Sequence, residues 1–343
     1  MPSQRIEYID ALRGFTMILV VFYHVALTCW HIIGKDIPSI HPFLVQVRMP
    51  LFFFISGFVL YKADTKWNII HIRHFLHKKF IVQIIPTIVF LILYAEFLGF
   101  SIYKGICSPF KNGYWFTYTL FEYFVFYSLL RLFFRKQFED VAIILSAFFF
   151  YIINYPHFNL IPISNTCKDI LGITQWSYFT FFLLGTLVKK HFNYIERCLD
   201  GKWLLLCSIL FYFLINFYDG YIPDTGFIRI PINLLRTIAG ITIIFAFFRE
   251  KQTFFSKKYI LGKSLQYVGR RTLDIYLLHL FFLPRNLGDA YPVFLEHPMP
   301  VIEATASLLV AMIVVAFCLF FSSIIRLSPF LGHYLFGVKS PSK

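Results

Sequence analysis

Charge is scarce in this chain. Only 15% of its 343 residues are charged, where a soluble domain carries about 25%. Hydrophobic residues make up 58%, with 45 Phe and 21 Tyr, and the mean hydropathy is +0.67. One aqueous core of this length cannot hide so much apolar surface, which excludes the soluble globular and disordered classes. Paired cysteines are missing as well. Cys29, Cys107, Cys167, Cys198, Cys207 and Cys318 form no CxxC pair and no Cys/His group with metal-ligand spacing, so they read as reduced, scattered thiols with no metal site. No internal repeat is visible, and the polar connections are too short for a soluble catalytic module. The first apolar stretch, residues 11–33, lacks a small-residue cleavage site and is too long for a signal-peptide core, so it reads as a retained anchor.

What is present is a succession of apolar segments. Residues 11–33, 43–62, 80–99, 114–133, 141–155, 171–188, 203–218, 230–248, 264–284 and 300–326 read as about ten transmembrane helices of an all-α integral membrane protein. The fifth and seventh fall short of the ~20 residues an upright span needs. The basic residues orient the whole. With the N-terminus in the cytoplasm, roughly three-quarters of the Lys and Arg fall in inner loops, a bias sustained from loop to loop that puts both termini inside. The net charge of +14 is then mostly topology and calls for no nucleic acid. A basic inner face also attracts an anionic cytosolic donor such as a CoA thioester.

Titratable side chains within apolar segments are costly and functional by default. Here they are Arg13 and His24 in the first segment, Arg48 in the second, Glu96, Glu122 and Arg236 further on, Arg270, Arg271, Asp274 and His279 in the ninth, and Glu303 in the tenth. Arg13 and His24 stand eleven residues apart. At about 100° per residue they return to nearly the same face, and at ~1.5 Å per residue they lie roughly 16 Å apart along the axis. Arg13 then sits at the cytoplasmic mouth and His24 well inside the bilayer. A permanently charged guanidinium suits phosphate, and a neutral imidazole suits proton abstraction from a hydroxyl. A long donor with phosphates at one end and a reactive carbonyl at the other, such as acyl-CoA, bridges such a pair. Asp10, one turn before Arg13, is a candidate substrate-binding residue; the plainer alternative has Arg13 snorkelling to lipid phosphate, His24 bonded to a helix neighbour, and Asp10 as a surface ion pair of little energy.

Four stretches carry a family resemblance. They are Tyr8-Ile9-Asp10-Ala11-Leu12-Arg13-Gly14 followed by His24, Met49-Pro50-Leu51-Phe52-Phe53-Phe54-Ile55-Ser56-Gly57-Phe58, Trp115-Phe116, and the stretch from Gly269 to His279 with Thr272 and Tyr276 at Gly-x-x-Thr-x-x-x-Tyr-Leu-x-His spacing. In this order they resemble acyltransferase family 3, whose hallmark is an Arg and a His separated by ten residues in the first helix. The resemblance runs from residue 6 to about residue 330. It implies a single membrane acyltransferase domain over residues 1–343, with no soluble domain. It also implies transfer of an acyl group, commonly acetyl, from cytosolic acyl-CoA to a hydroxyl of a glycan or lipid-linked sugar, in the inner (plasma) membrane of a bacterium. Acyl-CoA would be a co-substrate, with no bound cofactor. His24 would be the catalytic base, Arg13 its essential partner, and Tyr276 and His279 the family's positions in the ninth helix. The chain departs from a basic motif that many members carry before a Pro at the start of the third helix. Lys78 and Lys79 are present, but Gln83 and Phe80 stand three and six residues before Pro86.

Thioester attack needs a base, an oxyanion stabiliser and exclusion of water. Arg48 or Tyr276 is the candidate for the oxyanion. Glu122 is a candidate to orient His24 or bind sugar hydroxyls, against a pairing with Arg131 or Arg236 or a carboxyl kept protonated. His279 is a substrate contact or a packed residue donating to a backbone carbonyl. Arg270 and Arg271 bind CoA phosphates or anchor the topology. His71, His74 and His77 read as a solvated helix face. Two other classes remain open: a transporter or flippase of a glycan precursor, and a non-catalytic partner in which His24 is dispensable.

Overall fold

In the computed structural model, residues 6–31, 39–63, 65–134, 136–153, 164–285, 287, 294, 296 and 299–337 are described. Among them the chain is all-helical, without strands. It forms two compact units. The first is Met1–Phe52, Lys202–Tyr221 and Asn233–Ile324, and the second is Phe53–Gly201, Ile222–Ile232 and Ile325–Lys343. The loop charges Arg5, Lys35, Arg135, Lys339 and Lys343, counted in the inside-outside bias, lie outside the described residues.

The helices are α1 Glu7–Thr28, α2 His41–Leu60, α3 Ile69–Lys79, α4 Ile85–Leu98, α5 Ile102–Cys107, α6 Trp115–Phe133, α7 Glu139–Ile153 and α8 Asn165–Ile170. They continue with α9 Phe179–Lys190, α10 Phe192–Asp200, α11 Trp203–Phe217, α12 Gly226–Glu250, α13 Ile260–Arg270, α14 Thr272–Phe282, α15 Pro300–Ile325 and α16 Pro329–Phe336. By length and apolar composition five of these can cross a membrane: α1, α2, α3 run together with α4, α12 and α15. The pair α10 and α11 makes a sixth if the two form one broken span. The break falls at Lys202, whose φ of 58° is the left-handed conformation that ends a right-handed helix.

Three expected segments take a different form. The third, expected over 80–99, begins at Ile69 and runs to Leu98 through a π-turn at Phe80–Ile84. Pro86 explains the turn. A proline lacks the N–H and crowds the carbonyl four residues back, and the wider turn relieves both. The sixth, expected over 171–188, opens as a 3₁₀ stretch at Ile173–Tyr178 before α9. The ninth, expected as one helix over 264–284, is broken at Arg271, with φ −113° and ψ 20°. The Arg271 N–H closes α13 on the Val268 carbonyl, and its own carbonyl accepts the Ile275 N–H that opens α14. A continuous hydropathy pattern gives no sign of such a break.

In the first unit α1 is held by backbone contact. A side chain at Gly14 would overlap the Leu265 carbonyl of α13, and one at Gly269 would overlap the Asp10 carbonyl of α1. Only glycine admits so close an approach, the usual device of membrane helix pairs. On α13 the buried residues Gly262, Leu265, Gln266 and Gly269 recur at helical spacing, while Lys263, Tyr267 and Arg270 are exposed. The second unit repeats the device: Gly57 of α2 lies on the Phe182 carbonyl, and Gly185 of α9 on the Phe54 carbonyl. The Ser-Gly-Phe stretch of the second expected helix thus has a packing reason. Overpacking of this kind typically costs about 1–3 kcal/mol. Gly14→Ala and Gly269→Ala should each lower the thermal midpoint of the purified protein, whereas Gly220→Ala, with nothing within 4 Å of the new methyl, should not.

Candidate active site

The first unit gathers most of the residues singled out in the sequence. Because α1 is continuous, Arg13 and His24 share its face, three turns apart. Arg13 Nη2 donates to Thr272 Oγ1 at 3.3 Å, at the first residue of α14. The His24 ring lies 5.0 Å from that of His279, seven residues further along α14. Residue numbers therefore rise together along α1 and α14. Along α13 they run oppositely, since Gly269 meets Asp10 and Leu265 meets Gly14. The break at Arg271 makes both sets of contacts compatible. Arg271 itself donates to Ser322 Oγ at 2.9 Å and to Asp274 Oδ2 at 3.4 Å, and Ser322 donates to the same buried carboxylate.

The two histidines differ in what they offer. His279 is fully buried, and its Nδ1 faces the Tyr276 carbonyl at 2.7 Å and the Ile275 carbonyl at 3.1 Å. A carbonyl only accepts, so Nδ1 carries the proton and Nε2 is the bare nitrogen. That Nε2 is buried with no hydrogen-bond partner among the described residues. His24 is less enclosed than His279, intermediate in burial. Tyr276 is buried, with its ring 6.0 Å from His279. Tyr23, unmarked in the sequence beyond its adjacency to His24, makes a T-shaped contact with that ring at 5.8 Å. Arg48 of α2 lays its guanidinium over the Tyr23 face, 3.1 Å from the centroid. A cation, two imidazoles and two phenol rings thus meet on α1, α2 and α14, where a guanidinium over an aromatic face is favourably placed. Asp10, half-buried, and exposed Arg270 flank the Gly269 contact at the other end of the array.

Glu122, Lys78 and Lys79 belong to the second unit. Glu122 Oε2 accepts from Trp176 Nε1 at 3.3 Å and lies beside Gly172, whose φ of +67° favours glycine. Neither arginine weighed as its partner takes that place: Arg131 pairs with Glu139, and Arg236 with Asp219 at 2.7 Å. The nearby Lys111 donates to the Ile106 and Ile170 carbonyls. Burial pulls its ammonium below the usual lysine range, against the opposing charges of Asp169 and Glu122. Lys78 is exposed, and Lys79 stands over the Phe124 ring at 4.4 Å.

A family model described as an acyltransferase domain matches residues 6–329. No curated protein matches the chain, and neither does any solved structure.

Proposed function

The chain belongs to acyltransferase family 3, and from that premise we propose that it moves an acyl group, acetyl in the first instance, from cytosolic acyl-CoA to a hydroxyl of a glycan or lipid-linked sugar. The observation that carries this reading is the cluster around His24: an imidazole inside a helix long and apolar enough to cross a membrane, near His279, Tyr23 and the Arg48 guanidinium. In the proposed reaction His24 accepts the proton of the acceptor hydroxyl as its oxygen attacks the thioester carbonyl. Negative charge then develops on the thioester's carbonyl oxygen, and Arg48, or the Tyr276 hydroxyl, stabilises it. The tetrahedral adduct collapses, the C–S bond breaks, and the imidazolium returns the proton to the departing thiolate, giving CoA and the acyl ester.

Arg13 lies roughly 16 Å from His24 along α1, where a CoA phosphate would sit while the pantetheine arm reaches inward. Arg271 and Arg270 are further candidate phosphate contacts, and His279 a candidate acceptor contact. The reading places this chemistry in one membrane domain of ten spans with both termini in the cytoplasm of a bacterial cell. A transporter or flippase built on the same helices would leave the thioester intact.

Radiolabelled acetyl-CoA given to membranes that contain the full chain tests the reading. Label should enter the glycan or lipid-linked fraction. Removing a general base typically costs about 10²–10⁴ in rate, so His24→Gln, which keeps a hydrogen bond but cannot cycle the proton, should be nearly inactive per folded molecule. Retained activity in that variant would remove His24 from the chemistry. Arg13→Lys should weaken acetyl-CoA binding, because an ammonium lacks the planar fork that grips phosphate; unchanged affinity would remove that role. For the topology, single cysteines on a cysteine-free background at the highly exposed positions Tyr103 and Tyr221 should label from outside the cell. Those at Ile70 and Ile260, equally exposed, should label only after the membrane is opened.

A further inference from the structure

A second buried polar network stands beside the His24 cluster, and the reaction just described does not use it. Glu303 of α15 is 1% exposed and His41, the first residue of α2, is 2% exposed. Glu303 Oε1 faces His41 Nε2 at 3.2 Å and accepts from Ser307 Oγ at 2.7 Å, while Oε2 accepts from Ser39 Oγ at 2.8 Å. Trp30 Nε1 of the α1 side donates to Ser307 Oγ at 2.9 Å. With the carboxylate accepting, His41 Nε2 carries the proton. Nδ1 is buried and without a hydrogen-bond partner among the described residues.

The placement of the His41 ring is the informative part. It stacks on Phe22 at 4.5 Å and meets the edge of Tyr23 at 6.2 Å, the two residues immediately before His24. Tyr23 in turn meets His24 and lies under Arg48. One continuous run of contacts therefore leads from the carboxylate to the proposed base and the proposed oxyanion cation. Joining three apolar helices needs no such network. A buried carboxylate costs several kcal/mol in lost hydration, and apolar side chains of similar volume commonly pack at least as stably. The polar arrangement adds direction: a hydrogen-bonded imidazole has one tautomer and one ring orientation, as second-layer carboxylate partners impose elsewhere.

We infer that Glu303 and His41 form a positioning dyad that fixes Phe22 and Tyr23, and through them the orientation of the His24 imidazole and the Arg48 guanidinium. The inference rests on the acyl-transfer reading. The carboxylate locks His41, His41 holds the two α1 rings, and those rings set what an incoming thioester meets.

The test uses the full-length chain in membranes, acetyl-CoA as the probe, free CoA release as the rate, and normalisation to folded protein. Glu303→Gln and His41→Phe should each lower kcat by about 10–100-fold, as loss of such outer partners typically does, with the acetyl-CoA Kd unchanged. His41→Gln, which keeps an N–H for Glu303, should lose less. The double variant His41→Phe/Glu303→Gln should be no slower than the slower single, because the two act as one unit. Full kcat per folded molecule in Glu303→Gln and His41→Phe would reduce the network to a helix clasp and overturn the proposal. So would losses that multiply in the double variant, or a loss confined to acetyl-CoA binding. If wild type releases CoA and His24→Gln does not, such a result leaves the acyl-transfer reading standing. If wild type releases none, that reading and the dyad fall together.

Discussion

The approach of α1 to α13 at Gly14 and Gly269 is the contact on which the first unit depends. Two backbones touch there with no side chain between them, so neither helix can slide or roll without steric overlap. Rotation of α1 is thereby fixed. Arg13, next to Gly14, is delivered to Thr272, and three turns further on His24 is delivered to His279. An added methyl at either glycine would disturb the far end of the same helix as well as the crossing itself.

Polar groups in a membrane interior persist only when each is answered by another. The first unit answers them in sets: Arg271 with Asp274 and Ser322, Glu303 with His41, Ser39 and Ser307, and Arg48 with the face of Tyr23. His24 stands among these neighbours, and donors and cations already in place need not reorganise as charge develops in the proposed reaction.

The sequence marked candidate residues where charge was rare and local. In apolar segments His24, Arg13, Arg48 and His279 stand out singly, and helical spacing alone predicts that Arg13 and His24 share a face, as α1 shows. The alternative weighed for His279, donation to a backbone carbonyl, is the arrangement found, and its ring also meets His24. What escaped was non-local or conformational. His41 and Glu303 lie 262 residues apart, and no single-chain pattern pairs them, although an acidic residue in an apolar span demands some partner. Thr272 was visible only as part of a motif. The break at Arg271 leaves hydropathy uninterrupted, and the π-turn before α4 had only Pro86 as its sign. Glu122 was weighed against two arginines, each of which proves to have its own carboxylate, while Trp176, its actual partner, carries no charge to suggest the pairing.

Sided delivery of the donor tests the account most directly. Purified protein is inserted in one orientation into sealed vesicles that also hold lipid-linked glycan, and acetyl-CoA is supplied only on the face where Arg13 opens. The account predicts that free CoA appears on that same face, in step with acetyl ester formed on the glycan, and that acetyl-CoA given only on the opposite face yields none. Glycan that changes sides while the thioester stays intact would contradict it and identify a transporter.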